Sequence, residues 1–162
     1  MAAGNKKNET KIERKSDCEF VITRTFDAPV RLVFEAWTRA ELMKKWWVPR
    51  SIPMELLSCE TDVRVGGTYR FVFRHDGGEM AFHGKYLEVV PNERIVWTND
   101  EGEEGGQVTT LVFEDQGEKT LLVMTERYPS KEALEAGAGA EQGLPEQHAQ
   151  LDALLATMLQ QS

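Results

Sequence analysis

The stretch FDAPVRLVFEAWTRAELMKKWW, residues 26–47, and the later DVRVGGTYRF, residues 62–71, decide the fold. In the first stretch, Asp27 can cap a helix that has Pro29 in its first turn, where a missing N–H costs nothing. The apolar residues on one side of that helix are Val30, Val33, Phe34 and Trp37. A second short helix follows and ends in paired tryptophans. The second stretch opens a run of alternating residues, so two helices interrupt a chain that is otherwise rich in strands.

Alternation of apolar and polar residues predicts a first strand over residues 18–26 and several hairpins between residues 54 and 127. A long helix is predicted from Pro145 to about residue 160. This order indicates an α+β fold, in which a curved antiparallel sheet of about six to seven strands surrounds a long C-terminal helix. The terminal helix alone is long enough to cover one face of the sheet. A strongly curved sheet that grips one helix leaves a cavity, where we expect the function.

Length and charge restrict the class of protein. The 162 residues fit one domain, predicted over residues 17–162, behind a charged tail at residues 1–16 that we expect to be disordered. The formal net charge of −8 disfavours nucleic acid as a partner. No apolar run is long enough to cross a membrane, and no signal core follows the basic N-terminus. With Cys18 and Cys59 as reduced thiols, we expect a cytoplasmic protein, although a disulfide between them is not excluded.

The sequence gives no reason to expect a metal or a cofactor. His75, His83 and His148 are scattered and have no metal-ligand spacing. The glycine-rich segments have the composition of hairpin turns, and no nucleotide-binding or nucleophile motif is present.

Five segments in one order resemble a known family: RTFDAPVRLVFEAWTRAELMKKWW, DVRVGGTYRF, GKYLEVVPNERIVWT, TTLVFED and KTLLVMTERYPS. They resemble the AHSA-type branch of the SRPBCC (START-like, helix-grip) superfamily, which is similar to the C-terminal domain of the eukaryotic activator of the heat-shock protein 90 ATPase. The resemblance covers roughly residues 18–160. It implies a helix-grip fold with a deep hydrophobic pocket. Relatives bind lipids, polyketides or other apolar molecules, and a few are cyclases or hydrolases.

The chain departs from that family on its terminal helix. The family commonly has a Gly-Trp pair shortly before an L-D-x-L run, which here is residues 151–154. Glu146 and Gln147 occupy the expected place of the pair, and His148 lies beside them. A polar amide in place of a large aromatic ring should enlarge or polarise the pocket.

The candidate ligand-binding residues are mostly large and apolar. Trp46 and Trp47 form a gate at the cavity mouth in one interpretation and pack the two short helices onto the sheet in the other. Strand residues line the pocket or fill an ordinary core, and they are Tyr69, Phe71, Phe73, Phe82, Trp97 and Met124. The terminal helix contributes Gln147, His148, Leu151 and Leu155.

His83 and Glu126 are the polar candidates for ligand binding and the weak candidates for catalysis. A buried carboxylate and a histidine, facing one cavity, could act as general base and acid. The alternative is that His83 faces solvent opposite Phe82 and that Glu126 lies at the exposed end of its strand.

Three functions therefore remain open. The first is binding of an apolar or amphipathic small molecule under the terminal helix, and this is the one we favour. The second is a cyclase or hydrolase that uses His83 or Glu126. The third is an interaction module of a stress response that contacts a chaperone ATPase. A homodimer is compatible with all three.

Overall fold

The computed structural model describes residues 10–48, 50–51, 54–75, 77–99, 107–136 and 144–161. Its elements in chain order are β1 (Lys11–Ser16), β2 (Glu19–Phe26), α1 (Val30–Thr38), α2 (Ala40–Trp46), β3 (Met54–Thr61), β4 (Thr68–His75), β5 (Gly78–Val90), β6 (Arg94–Asn99), β7 (Gln107–Asp115), β8 (Thr120–Arg127), α3 (Lys131–Ala136) and α4 (Leu144–Gln161).

The strands form one antiparallel sheet in the order β1-β2-β8-β7-β6-β5-β4-β3. The sheet is curved and does not close, because β1 and β3 are separate edges. The predicted α+β fold with a C-terminal helix is confirmed, and the eight strands slightly exceed the predicted number. The strand β2 pairs with β8, so an early and a late segment of the chain lie side by side.

The additional strand is β1, and it corrects the prediction of a disordered tail over residues 1–16. Lys11 pairs with Thr23 and Arg14 with Phe20 along the edge of the sheet. Every side chain of β1 is exposed, so the segment has no apolar alternation that would predict a strand. Backbone pairing with β2 forms it instead. Residues 1–9 lie outside the described part of the chain.

The first of the two short helices begins two residues later than predicted. Pro29 is the N-cap of α1, with extended backbone, and no side chain caps that helix end. The predicted cap Asp27 instead forms an ion pair with Lys119 at 3.5 Å. At the other end, the hydroxyl of Thr38 donates a hydrogen bond to the carbonyl oxygen of Phe34 at 2.8 Å.

The core lies between the concave face of the sheet and the helices. Inward positions of β2 alternate with half-buried ones, so Ile22 is buried and Val21 is not. Ile22 lies opposite Met124 on β8. Leu151 and Leu155 of α4 are fully buried in the same core. Among the described residues, no helix has the length and apolar character that a membrane span requires.

Candidate functional site

A cleft of about 400 Å³ lies between the helices and the concave face of β4–β8. Eight of the fifteen described residues that line it are aromatic, namely Trp37, Trp47, Tyr69, Phe71, Phe82, Tyr86, Trp97 and Tyr128. The polar groups of the wall are Asn99, Gln107, Glu126, Tyr128 and Gln147, and the wall is completed by Met43, Met124 and Leu144. A ligand in this cleft would contact apolar surface over most of its area and a small number of hydrogen-bonding groups.

The aromatic rings of the cleft wall contact one another in edge-to-face and tilted geometries. Trp47 from the end of α2 meets Phe71 edge to face, with 4.9 Å between the ring centroids. Trp37 of α1 lies 6.1 Å from Trp97 of β6. Such edge-to-face and tilted contacts add to the free energy gained by burial. They fix the shape of the wall before any ligand enters.

Tyr69 is fixed by a glycine and a hydrogen bond. Its hydroxyl donates to the carbonyl oxygen of Thr98 at 2.7 Å. Gly84 lies opposite Tyr69 in the pairing of β4 with β5. A Cβ atom on Gly84 would lie 1.8 Å from the Thr98 carbonyl oxygen and 2.8 Å from the Tyr69 ring, so the position has room for hydrogen alone.

The polar groups of the cleft meet where β6, β7 and β8 lie side by side. Thr109 lies opposite Glu126, and Asn99 opposite Gln107. The Thr109 hydroxyl donates to one oxygen of the Glu126 carboxyl group at 3.0 Å. The side-chain amide of Gln107 donates to the other oxygen. These two donors fix the orientation of a half-buried carboxyl group in the cleft wall.

Side chains of α4 bind the segment that follows α2. The Gln147 amide donates to the carbonyl oxygen of Trp47 at 2.6 Å. The Gln150 amide donates to the carbonyl oxygens of Trp46 and Val48 at 3.1 and 2.9 Å, respectively. These bonds satisfy backbone carbonyl oxygens that have no hydrogen-bond partner within the helix at its C-terminal end. They also fix Trp47, which is part of the cleft wall. We call this set of contacts from Gln147 and Gln150 the glutamine clamp.

Eight of the fourteen predicted ligand-binding residues line the cleft, namely Trp47, Tyr69, Phe71, Phe82, Trp97, Met124, Glu126 and Gln147. Five others are core residues that do not reach it, namely Trp46, Phe73, His148, Leu151 and Leu155. Trp46 is fully buried, and its indole N–H donates to the Ala36 carbonyl oxygen at 3.0 Å. Of the paired tryptophans, Trp46 therefore packs the helices together and Trp47 faces the cleft.

The structure contradicts the prediction that His83 belongs to the ligand-binding site. It lies opposite Arg70 on the exposed face of the sheet, while its neighbours Phe82 and Gly84 face inward. Successive side chains of a strand point to opposite faces, so His83 cannot share the cleft with Phe82. Glu126 lines the cleft and is half-buried there, one residue before the exposed end of β8 at Arg127. Acid–base catalysis by His83 together with Glu126 is thus ruled out by their placement on opposite faces.

His148 belongs to a buried polar cluster between α4 and β2. The cluster contains Thr10, Arg24, His148 and Asp152. Arg24 donates to the Asp152 carboxylate at 2.6 Å and to the Thr10 hydroxyl at 3.1 Å. The Thr10 hydroxyl lies 2.9 Å from Nδ1 of His148. Burial, with a smaller effect of Arg24, lowers the pKa of His148 to about 3. The ring is therefore neutral near pH 7.

Sequence reasoning missed seven residues that line the cleft, namely Trp37, Met43, Tyr86, Asn99, Gln107, Tyr128 and Leu144. The alternation along the strands could have identified Tyr86 and Gln107. Each lies two residues from an inward position, Gly84 and Thr109 respectively, and therefore on the same face of its strand. Trp37 was recognised only as part of a helix stripe. Within the described ranges, no group of three or more His, Cys, Asp or Glu side chains could hold a metal ion.

Comparison with known proteins gives one family and many similar folds. The sequence model of the family described as "Activator of Hsp90 ATPase homolog 1-like protein" matches residues 27–156. No curated protein gives a significant match to the chain.

Three solved structures illustrate the similarity of fold. A protein from Rhodobacter sphaeroides is 23% identical, with a TM-score of 0.81, and the match covers 92% of this chain and 99% of that one. A protein from Nitrosomonas europaea is 24% identical, with a TM-score of 0.78 and coverages of 89% and 97%. A protein from Chromobacterium violaceum is 28% identical, with a TM-score of 0.70 and coverages of 85% and 97%.

Proposed function

Because the chain belongs to the Activator of Hsp90 ATPase homolog 1-like family, we propose that it binds a small apolar or amphipathic molecule in the cleft under α4. The observation that carries the proposal is the aromatic wall around an open volume of about 400 Å³. Side chains of a packed core touch one another, whereas these rings leave space of the size that small ligands occupy.

The free energy available from this wall is sufficient for binding. A ligand that buries about 300 Å² of apolar surface gains about 7 kcal/mol, at about 25 cal/mol per Å², before the costs of association. Few polar contacts are then needed for affinity. The rings are already held in place by their mutual contacts and by the glutamine clamp, so little conformational entropy is lost on binding.

A neutral fluorescent probe tests the proposal. Nile red should bind the wild-type protein with a dissociation constant below about 100 μM, a value that requires only part of the available burial. In the variant Met124→Trp, a larger ring on an inward position of β8 would fill the cleft and weaken binding at least about tenfold. The matched control is Val123→Trp, which changes the next residue on the opposite face and should leave binding unchanged.

Two outcomes would contradict the proposal: the absence of Nile red binding to the wild type, or equal binding to the wild type and to Met124→Trp. Thermal unfolding of both variants verifies that they are folded. Native mass spectrometry of the freshly purified protein would in addition identify a ligand that is retained from the cell.

Contact with a chaperone is the weaker candidate. The family description refers to activation of the Hsp90 ATPase, and such contact needs an exposed apolar patch of a few hundred Å². The exposed large apolar side chains of the described residues are five and come from four segments of the chain: Ile12 on β1, Val65 between β3 and β4, Met80 and Leu87 on β5, and Leu159 on α4. We therefore give preference to small-molecule binding.

A further inference from the structure

We infer that the polar end of the ligand is a hydrogen-bond donor without negative charge, such as a hydroxyl or amide group, and that the side-chain carbonyl oxygen of Gln147 accepts its hydrogen. This assignment rests on the proposed function and specifies the chemical class of the ligand. It makes Gln147 of α4 the residue that selects among molecules with similar apolar bodies.

The amide group of Gln147 has one orientation. Its nitrogen donates to the carbonyl oxygen of Trp47 at 2.6 Å, and a carbonyl oxygen is an acceptor only, so the opposite orientation would bring two oxygens together. The amide oxygen, Oε1, accepts no hydrogen bond from the described residues. It is not among their fully buried polar atoms that lack a partner, so it keeps accessible surface. Gln147 therefore offers a fixed and open acceptor.

This acceptor belongs to the side of α4 that borders the cleft. Leu144 and Gln147 both line the cleft, and residues three positions apart share one face of a helix. Trp47, which Gln147 binds, is part of the same wall. A ligand that covers the Gln147 oxygen without donating to it would remove that oxygen from water and leave it unsatisfied, which costs free energy. A ligand with a donor avoids this cost.

The charges of the wall disfavour an anionic ligand. Of the described residues that line the cleft, none is Lys, Arg or His. The Glu126 carboxyl group supplies no positive charge in either of its protonation states, and the whole chain has a formal net charge of −8. A carboxylate or phosphate would therefore leave water for a partly enclosed cleft without a cationic partner. An uncharged hydroxyl or amide avoids this penalty and still donates to Gln147.

The experiment compares three compounds that share a naphthalene ring and differ in the group on one ring carbon. Naphthalenemethanol has a hydroxyl donor, its methyl ether has no donor, and naphthoate is an anion at neutral pH. Isothermal titration calorimetry with the wild-type protein should give the strongest binding for the alcohol. We expect the ether to bind at least about fivefold more weakly, because it leaves the Gln147 oxygen unsatisfied, and naphthoate at least about tenfold more weakly.

The variant Gln147→Met removes the amide and retains most of the side chain's length. Loss of its bond to Trp47 lowers both affinities together, so the ratio between alcohol and ether is the measure, and it should fall to within about twofold of unity. Gln150→Met is the matched control: it removes the other bonds of the glutamine clamp, does not line the cleft and should keep the wild-type ratio. The ranking by the wild type needs no variant, so a folding defect would not prevent a decision.

Each remaining outcome overturns the inference in an identifiable way. Equal affinity for the alcohol and the ether, or preference for naphthoate, means that the cleft binds apolar bodies without selecting a neutral donor, and the proposed function stands. A preference for the alcohol that persists in Gln147→Met removes the assignment to Gln147. Binding of Nile red without binding of any naphthalene compound also removes the inference alone. If neither Nile red nor any naphthalene compound binds, the proposed function fails as well.

Discussion

The buried cluster of Thr10, Arg24, His148 and Asp152 is the least expected group of side chains. Nε2 of His148 and Nε of Arg24 are buried and have no hydrogen-bond partner among the described residues. Sequence periodicity placed His148 on the same face of α4 as Leu151 and Leu155, and all three are buried. Periodicity does not reveal which part of the sheet that face covers. The face lies against β2 and the core, so His148 does not reach the cleft.

His148 predicts a loss of stability in acid. Its pKa falls from 6.5 in the unfolded chain to about 3 in the fold, so above pH 6.5 the ring is neutral in both states. Between pH 6.5 and about pH 3, His148 is protonated in the unfolded chain but neutral in the folded chain. The free energy of unfolding then falls by about 1.4 kcal/mol for each pH unit, until the pH approaches the folded value. The raised pKa of Asp152, which is caused mainly by desolvation, has the opposite sign and offsets part of this loss.

Urea unfolding at neutral pH and at about pH 5 measures the effect. The lower pH lies between the pKa values of His148 in the folded and unfolded chains, so the loss of stability is already present there. In His148→Gln the decrease between the two pH values should be smaller by about 2 kcal/mol, because the group that titrates is gone. His83→Gln makes the same exchange at an exposed position and controls for the effect of the substitution itself on stability at neutral pH. An unchanged decrease in His148→Gln would show that other groups cause the acid sensitivity.

At the scale of elements, the sequence predicted the helices and most strands but not their side-chain contacts. The departure at Glu146 and Gln147 was expected to polarise the pocket. Gln147 does line the cleft, yet its amide also binds the Trp47 carbonyl oxygen, and Glu146 accepts a hydrogen bond from the backbone N–H of Ser51 at 3.0 Å. Contacts between residues about 100 positions apart leave no local pattern. The edge strand β1 was missed for a related reason, because only its backbone is engaged.

The glutamine clamp predicts the sensitivity of α4 to substitution. Gln150→Ala removes two donated bonds and one accepted from the Arg50 N–H, so we expect a loss of about 2 kcal/mol in the free energy of unfolding. Gln160→Ala on the same helix makes the same exchange at an exposed position and should change stability by less than about 0.5 kcal/mol. Chemical denaturation of both variants gives the comparison. Equal effects would mean that the clamp contributes nothing beyond helix propensity.

At the scale of the whole molecule, the five segments of sequence identified the family, and the match over residues 27–156 confirms it. The α+β class followed from the order of elements, and the helix that covers the sheet was correctly identified. The composition of the cleft was only partly predictable. Alternation assigns a face to each strand residue, as it does for Tyr69 and Phe71, but it cannot separate residues around the open volume from residues in the packed core, such as Phe73.

The role of α4 as the cover of the sheet gives a prediction for the entire fold. A chain that stops after Ala136 lacks α4 and leaves Arg24 and Phe26 of β2 without Asp152 and His148, the α4 residues that they contact. We expect it to lose cooperative unfolding and to bind a hydrophobic dye strongly, since the apolar surface that α4 buries becomes exposed. A chain that stops after Leu159 retains nearly the whole helix and should behave as the wild type. Cooperative thermal unfolding of the shorter chain, recorded by circular dichroism, would contradict this role.

The pairing of β2 with β8 also has a consequence during protein synthesis. As the ribosome extends the chain, β2 emerges early, but its partner β8 is completed only after about a hundred further residues. Synthesis proceeds at about 5–20 residues per second, so β2 remains unpaired with β8 for several seconds. The nascent polypeptide cannot complete the sheet before β8 has been synthesised. Its final assembly must follow the emergence of the last strand and helix from the exit tunnel.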